Sequence, residues 1–458
     1  MEIEVLKRSH IKRSIVIGVF IVFIISAIIL NFTSAKYRVT DTIPLINGEV
    51  NYKVPDLNMV SLYIANEGGT YEEADIIPSN GYALNIEQSY CGQSNNGEIV
   101  KDDTIILTYE NGSMTFSNVT RKGTKCYLYF DIEETSTSGE QILATKTIDD
   151  SRSGAITGTL TTDTTGTVYS AQDDWGTSYV YAGAPTDNWV SFAGFYWRII
   201  RINGDGSIRM IYAGISTSES GTDDQIQVGV YNSANGDNAH VGYMYGSTGA
   251  SSYSATHANT NDSTIKEILD EWYQNNLTDY ANYISTEAGF CNDRRIATSS
   301  ESWHTNDTKR GYGTNQTYYA PYSRLMTIND SWNSIQNPSL ECSQTNDIFT
   351  VSGSSKGNHN LTYPIGLITS DEVILAGGFG GIDNQSYYLC TGQNYWTMSP
   401  GYHTGSWAGV YYVYNNGNVF GINIRYTTPG IRPVINLSAN VMLLGSGTTS
   451  DPYHVEGA

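Results

Sequence analysis

The stretch Tyr395–Leu437, YWTMSPGYHTGSWAGVYYVYNNGNVFGINIRYTTPGIRPVINL, is crowded with Tyr, Trp, Asn and Gly and carries no acidic residue. Its pattern predicts three strands. Trp407–Tyr414 and Asn418–Tyr426 flank Asn416-Gly417, a pair suited to the positive φ angles of a tight hairpin turn. Ile431–Leu437 sets Ile431, Pro433, Ile435 and Leu437 on one face at period two. Rings this frequent can fill a core, and the surplus can form a rigid amphipathic recognition surface. Tyr402, His403, Trp407, Tyr411 and Tyr414 are therefore the candidate ligand-facing residues. Core packing and cross-strand pairing account for Trp396 and Tyr412. Arg432, mid-strand between apolar neighbours, is expected to be structural, bonding loop carbonyls or a carboxylate.

Upstream, Phe195–Ile202 (FYWRIIRI) and Ser207–Ala213 flank Asn203-Gly204-Asp205-Gly206 and predict a second hairpin. Thr167–Ser170 and Thr177–Ala182 read as short strands before it. Asp262–Asn276 is the clearest helix. Ile265, Ile268, Leu269, Trp272 and Tyr273 fall on one face, and Thr264 with Glu267 suggests a capping box. Trp197 and Trp272 are expected to pack structurally. Thr369 and Glu372 form a second capping-box pattern opening a short helix that ends at Gly377-Gly378. Tyr363–Thr369 reads as a strand before it, and Ser386–Cys390 as another strand-like run.

Lys36 to about Glu134 reads as a small all-β, sandwich-like domain. Its strand-like runs are Met59–Ile64, Ala83–Gln88, Thr104–Tyr109, Ser113–Val119 and Lys125–Ile132. Thr135–Thr162, rich in Thr, Ser and Gly, reads as a linker with a strand around Ile142–Ile148. The second domain then spans 163–440, α+β in class with long loops, and a tail of 441–458 closes with a turn and a terminal strand. Of five cysteines, Cys91 and Cys126 are either a disulfide or two buried thiols. Cys291 and Cys342 are expected to pair, leaving Cys390 as a buried free thiol.

Ile15–Leu30 is an uninterrupted apolar run preceded by Lys7, Arg8, Lys12 and Arg13. It predicts a single-pass signal-anchor over 15–32, with residues 1–14 cytoplasmic and the bulk of the chain outside the plasma membrane. Thr33-Ser34-Ala35 leaves signal-peptide cleavage as the alternative. The chain holds 25 Lys and Arg against 46 Asp and Glu, a net charge of −21. That balance argues against nucleic acid, whose phosphates demand neutralising cations. Thirty-five tyrosines, eight tryptophans and only 16% charged residues fit short strands with polar turns better than a helical bundle.

Five segments together resemble the DUF6273 family, in the order seen there: Gly194–Tyr212, Asp262–Leu277, Tyr363–Gly378, YWTMSPGY at Tyr395–Tyr402, and GIRPVINL at Gly430–Leu437. The resemblance covers about Asp163–Asn440 and implies an uncharacterised bacterial domain of cell-surface proteins. Ser113–Asp131 is similar to a juxtamembrane domain that accompanies it. The carboxyl-terminal hairpin with its Arg-containing closing strand is similar in style to C-type lectin-like and formylglycine-generating-enzyme-like folds. Members of the family often carry Arg where Met398 stands here, so any ligand contact made by that Arg is missing. The family has no established activity, so no catalytic residues carry over.

Enzyme signatures are thin. Gly353-Ser354-Ser355-Lys356-Gly357 matches the nucleophile-elbow pattern but lacks a helix-forming sequence after it. Ser263-Thr264-Ile265-Lys266 has the Ser-x-x-Lys spacing, and Ser263 is equally placed to cap a helix. Seven histidines are scattered without metal-ligand spacing. Calcium is the one cofactor with oxygen-rich clusters to suit it, at Asn203/Asp205, Asp223/Asp224, Asn235/Asp237/Asn238 and Asn261/Asp262. None has the spacing of a calcium loop, and no cofactor is expected. The expectation is a membrane-anchored adhesin-like protein that is not an enzyme and that binds an extracellular glycan or protein. The alternatives are an extracellular enzyme on envelope polymers and a structural surface-assembly component.

Overall fold

The computed structural model describes residues 57–66, 69–78, 82–95, 98–110, 113–132, 136–217, 222–326 and 335–458. The chain divides into two compact units, Met1–Thr135 and Ser136–Ala458. Among the described residues no helix is long and apolar enough to cross a membrane. The expected anchor at 15–32 and the basic tail before it lie outside the described residues.

The first unit holds β1 (Leu57–Ala65), β2 (Tyr71–Ala74), β3 (Tyr82–Leu84), β4 (Tyr90–Asn95), β5 (Glu98–Lys101), β6 (Ile106–Glu110), β7 (Ser113–Ser117) and β8 (Thr124–Ile132). β8 is central, parallel to β1 and antiparallel to β3 and β4. Its alternation is clean: Cys126, Leu128 and Phe130 are buried while Tyr127 and Tyr129 are half-buried on the other face. Met114 and Phe116 of the β6–β7 hairpin join Leu62 over the inward face, giving the two layers expected. Cys91 and Cys126 sit opposite each other in the ladder and form a disulfide. On the outward face Tyr63 stacks on Tyr129 and Tyr90 on Tyr127, with centroids 4.8 and 5.2 Å apart. β2 and β5 lack a period-two apolar signal and are seated by backbone pairing, whereas β4 is fixed also by the buried Cys91.

The second unit opens earlier than its sequence suggests. Residues 136–162 are part of it and not a linker. Helix α1 (Ser138–Leu143) starts with a capping box between Thr137 and Glu140 and buries Ile142, and β9 (Thr147–Asp149) pairs with β10 (Thr167–Asp173). The helix signal at 137–140 is one turn long and was masked by its Thr/Ser/Gly-rich setting. β11 (Gly176–Val180), β12 (Trp189–Phe192), β13 (Phe195–Ile202) and β14 (Ile208–Tyr212) follow. Helix α2 (Thr264–Asn276) is capped by Ser263, one residue before the expected position. After it come α3 (Ala320–Leu325), α4 (Ser370–Ala376), β15 (Tyr395–His403), β16 (Ala408–Val413), β17 (Val419–Asn423), β18 (Val434–Leu437) and β19 (Tyr453–Val455). The unit is α+β, sheet-rich with few helices.

Its larger sheet is built on β13, which pairs with β11, β12 and β14. β14 continues to β18, and the terminal strand β19 docks on β12. The smaller sheet is β15-β16-β17, with Gly430–Ile431 and Thr317–Tyr318 also paired to β15. Asn416-Gly417 turns as expected, with Gly417 at φ 84°. The predicted strand Ile431–Leu437 is instead split between the two sheets at Arg432-Pro433. Pro433 has no N–H to donate, and its carbonyl accepts from Tyr212 N at 2.8 Å. Residues 430–437 are all buried, so no single face is singled out. Tyr363–Thr369 is likewise not a strand; it makes one bridge, Gly366 to Val434. Ser386–Cys390 forms turns, leaving Cys390 a half-buried free thiol, while Cys291 and Cys342 are joined.

Trp197 and Trp396 are fully buried, their indole N–H groups donating to Phe192 O (3.1 Å) and Gly229 O (2.7 Å). Trp272, half-buried, packs on Phe195 and Tyr212. Arg432 has the structural role expected. Its Nε and Nη2 donate to Tyr212 O at 3.2 and 3.0 Å, and its guanidinium lies 4.8 Å from the centre of the Tyr395 ring.

The larger sheet meets α4 through a buried ion network. Thr369 and Glu372 form the expected capping box. The Glu372 carboxylate also accepts from Arg201 Nε (2.9 Å) and pairs with Arg209, whose Nη2 donates to it at 3.3 Å. Arg201 further pairs with Asp173, and Arg324 clasps Asp371 through two nitrogens (2.8 and 2.9 Å) and Asp293 through the third (2.5 Å). Burial by itself would raise the Glu372 pKa. Arg209 and Arg201 outweigh it and hold the carboxyl below its usual range.

Glu372→Ala is expected to cost about 3–5 kcal/mol, because it strands two buried guanidiniums and removes a cap. Urea unfolding with far-UV circular dichroism measures this, and a loss below about 1 kcal/mol would refute it. Replacing Cys91 and Cys126 together by Ser should lower stability by about 3–4 kcal/mol through loop entropy. Comparing melts of the parent with and without reductant provides the second check.

Candidate functional site

The second unit carries an aromatic platform that begins at the end of β15. Tyr402 lies opposite Gly409 of β16, and Tyr411 opposite Gly421 of β17. Alternation puts Tyr402, Gly409, Tyr411 and Gly421 on one face. The two glycines let the Tyr402 ring lie down across three strands. A Cβ at Gly409 would stand 2.8 Å from Tyr402 Cζ, and one at Gly421 2.8 Å from Cε1. The Tyr402 hydroxyl donates to Gly421 O at 3.3 Å.

Other rings close around it. Trp407 meets Tyr402 edge-on at 5.2 Å from the four-residue turn between β15 and β16. Tyr322, on α3, meets it at 5.0 Å. Tyr318 stacks on Tyr322 at 5.4 Å, and Trp303 lies 5.7 and 5.5 Å from these two. All five rings are half-buried, so each keeps one part in the fold and one part in water. α3 brings Tyr322 over the sheet, with Pro321 in its first turn pre-setting φ. Thr317–Tyr318 holds Tyr318 by pairing with His403 and Tyr402.

The loop carrying Trp303 is held by Glu301. Its carboxylate takes Arg295 Nη1 and Nη2 at 2.9 and 2.8 Å and Thr298 N at 2.6 Å. The Arg295 hydrogen bond is the main reason the carboxyl is pulled down to about 2. This acid beside the platform is therefore neutralised. Around the rings, Thr314, Gln316, Thr404 and Ser406 are exposed and polar. The arrangement offers ring faces and edges for stacking, with hydroxyl and amide groups at the rim.

The sequence candidates divide. Tyr402 and Trp407 belong to the platform. Tyr411 does not face solvent: it is 1% exposed beneath Tyr322. His403 is also 1% exposed, its ring pointing the other way along the strand alternation. Burial lowers its pKa, Asp237 opposes that, and His240 adds to it. Tyr414 is exposed, but it packs with Tyr412 and Phe420 on the opposite face of the hairpin. Trp303, Tyr318 and Tyr322 escaped sequence reading, because their loop has no periodicity and only the fold brings it to Tyr402.

Carboxylates also converge elsewhere. Asp174, Asp293, Asp371 and Glu372 line a cleft with Arg201, Arg209 and Arg324. The cleft leaves about 20 Å³, room for one water molecule. Asp293, Asp371 and Glu372 are each ion-paired, and Asp174, raised by burial, accepts from Cys342 N at 3.0 Å. Ser354 is followed by turns and not by a helix, and Ser263 caps α2. Among the described residues no three His, Cys, Asp or Glu side chains come together as metal ligands. No family model, curated protein or solved structure matches the chain.

Gly421→Ala is expected to lift the Tyr402 ring and cost about 1–3 kcal/mol by overpacking. Gly236→Ala, where an added Cβ meets nothing within 4 Å, should be close to neutral. Thermal melts of the two variants beside the parent decide it, and equal melts would remove the glycine requirement.

Proposed function

We propose that this chain is an adhesin-like binding protein whose second unit recognises an extracellular glycan through the platform of Trp303, Tyr318, Tyr322, Tyr402 and Trp407. The single observation that supports this is five mutually contacting rings, each half-buried, around a polar rim. Packed rings at a core would be covered, whereas these retain water-facing surface while their geometry is fixed. A sugar presents alternating C–H faces and hydroxyls, matching rings beside Thr, Ser and Gln side chains. The two disulfides fit an extracellular protein. An apolar anchor at Ile15–Leu30 would hold the chain at the plasma membrane, and the DUF6273 resemblance agrees with a surface role. A protein partner is the second occupant that such rings suit. An enzymatic reading would rest on the carboxylate cleft, and its ion pairs and water-sized space favour a structural role instead.

Titration of the full chain with a panel of neutral oligosaccharides, read by tryptophan fluorescence and calorimetry, tests the proposal. Trp407→Ala and Tyr322→Ala should each weaken binding about tenfold or more, the size expected of central aromatic contacts. Tyr414→Ala, on the opposite face, should leave it unchanged. A panel without binders, or binders indifferent to both platform substitutions, would overturn the proposal.

A further inference from the structure

The turn that presents Trp407 is tied down by a histidine. Thr404–Trp407 joins β15 to β16, and Gly405 N donates to His403 Nδ1 at 3.1 Å. Thr404 closes the same turn, its N donating to Trp407 O at 3.0 Å and its hydroxyl accepting from Trp407 N at 3.2 Å. An Nδ1 that accepts from an N–H is unprotonated, which places the ring proton on Nε2. Nε2 is buried.

We propose that His403 makes the platform acid-sensitive: protonating Nδ1 turns the acceptor of Gly405 N–H into a second donor, opens the 404–407 turn and releases Trp407 from Tyr402. Asp237, the cap before the short helix Asn238–Val241, favours the charged ring, but its carboxylate already accepts from Ala239 N and Gly249 N at 2.9 and 2.7 Å. His240 on the same helix, 6% exposed, opposes a second positive charge. From the Thr317–Tyr318 side the Asn315 carbonyl favours the charged form, and among the described residues Asp237 and His240 are the titratable groups that act on the ring. β16 brings Ala408 opposite His403.

The direction follows from linkage. In the closed turn burial keeps the His403 pKa below the ordinary 6.5, and an opening that admits water to the ring removes that penalty. The closed turn is therefore fully favoured above about pH 6.5. Below that the opened form binds the extra proton, and its population rises by up to about tenfold per pH unit until the closed-state pKa is passed. The consequence for ligand binding rests on the platform reading; the opening of the turn does not.

The test uses the full chain without ligand. Hydrogen exchange of the 404–408 amides, corrected for intrinsic rate, should lose protection between pH 7 and pH 5. Acrylamide quenching should rise over the same range in the parent but not in Trp407→Phe. His403→Asn, whose Oδ1 can accept from Gly405 N without titrating, should abolish both transitions. Protection that stays flat in the parent, or a transition that survives in a folded His403→Asn, overturns the switch. If the turn opens and an oligosaccharide bound at neutral pH is retained at pH 5, the switch stands and the platform reading falls. If the Asn variant does not fold, the parent exchange profile alone decides.

Discussion

The second unit depends on one carboxylate. Glu372 caps α4, receives Arg201 from β13 and Arg209 from β14, and so ties the helix start to the larger sheet. Arg324 on α3 clasps Asp371, the residue before it. Because α3 also carries Tyr322, the ion network and the aromatic platform share a support. Buried charges of this kind add little stability over an apolar core, but they tolerate few alternative arrangements. Their effect is on register: two strands, two helices and the cleft between them are fixed together.

From that support the platform gains its geometry. Glycine at 409 and 421 is what allows a tyrosine to lie flat on a sheet, and a flat ring is what Trp407 and Tyr322 then meet edge-on. The same hairpin that exposes Trp407 hides His403, since neighbouring residues on a strand point to opposite faces. Tyr402 on the platform and the buried His403 are therefore one peptide bond apart on opposite faces of the sheet.

The first unit makes a quieter use of the same residues. β8 alternates Cys126, Leu128 and Phe130 with Tyr127 and Tyr129, so a single strand supplies the core, half of a disulfide and a stacked tyrosine face. Alternation this regular is legible, and the strand was. β4 and β5 were not, because YCGQSN and EIVK carry no matching pattern; β5 joins through backbone hydrogen bonds, and β4 through these and the Cys91 disulfide.

Where a hydrogen bond or a turn closes within a few residues, the chain itself specified the outcome. The capping box at Thr369 and Glu372, the Asn416-Gly417 hairpin and the FYWRIIRI strand with its following turn are of this sort. Local competition moved α2's cap to Ser263, hid α1 in a Thr-rich stretch, and let Pro433 break one expected strand into two sheets. The platform belonged to the other kind. Trp303, Tyr318 and Tyr322 lie far upstream of Tyr402 in the chain, and nothing in their spacing encodes that meeting. Burial was equally undecidable from composition: His403 and Tyr411 look like Tyr402 and Trp407 in the sequence, and only the packing of α3 and the glycine-lined sheet sorts them into inside and outside.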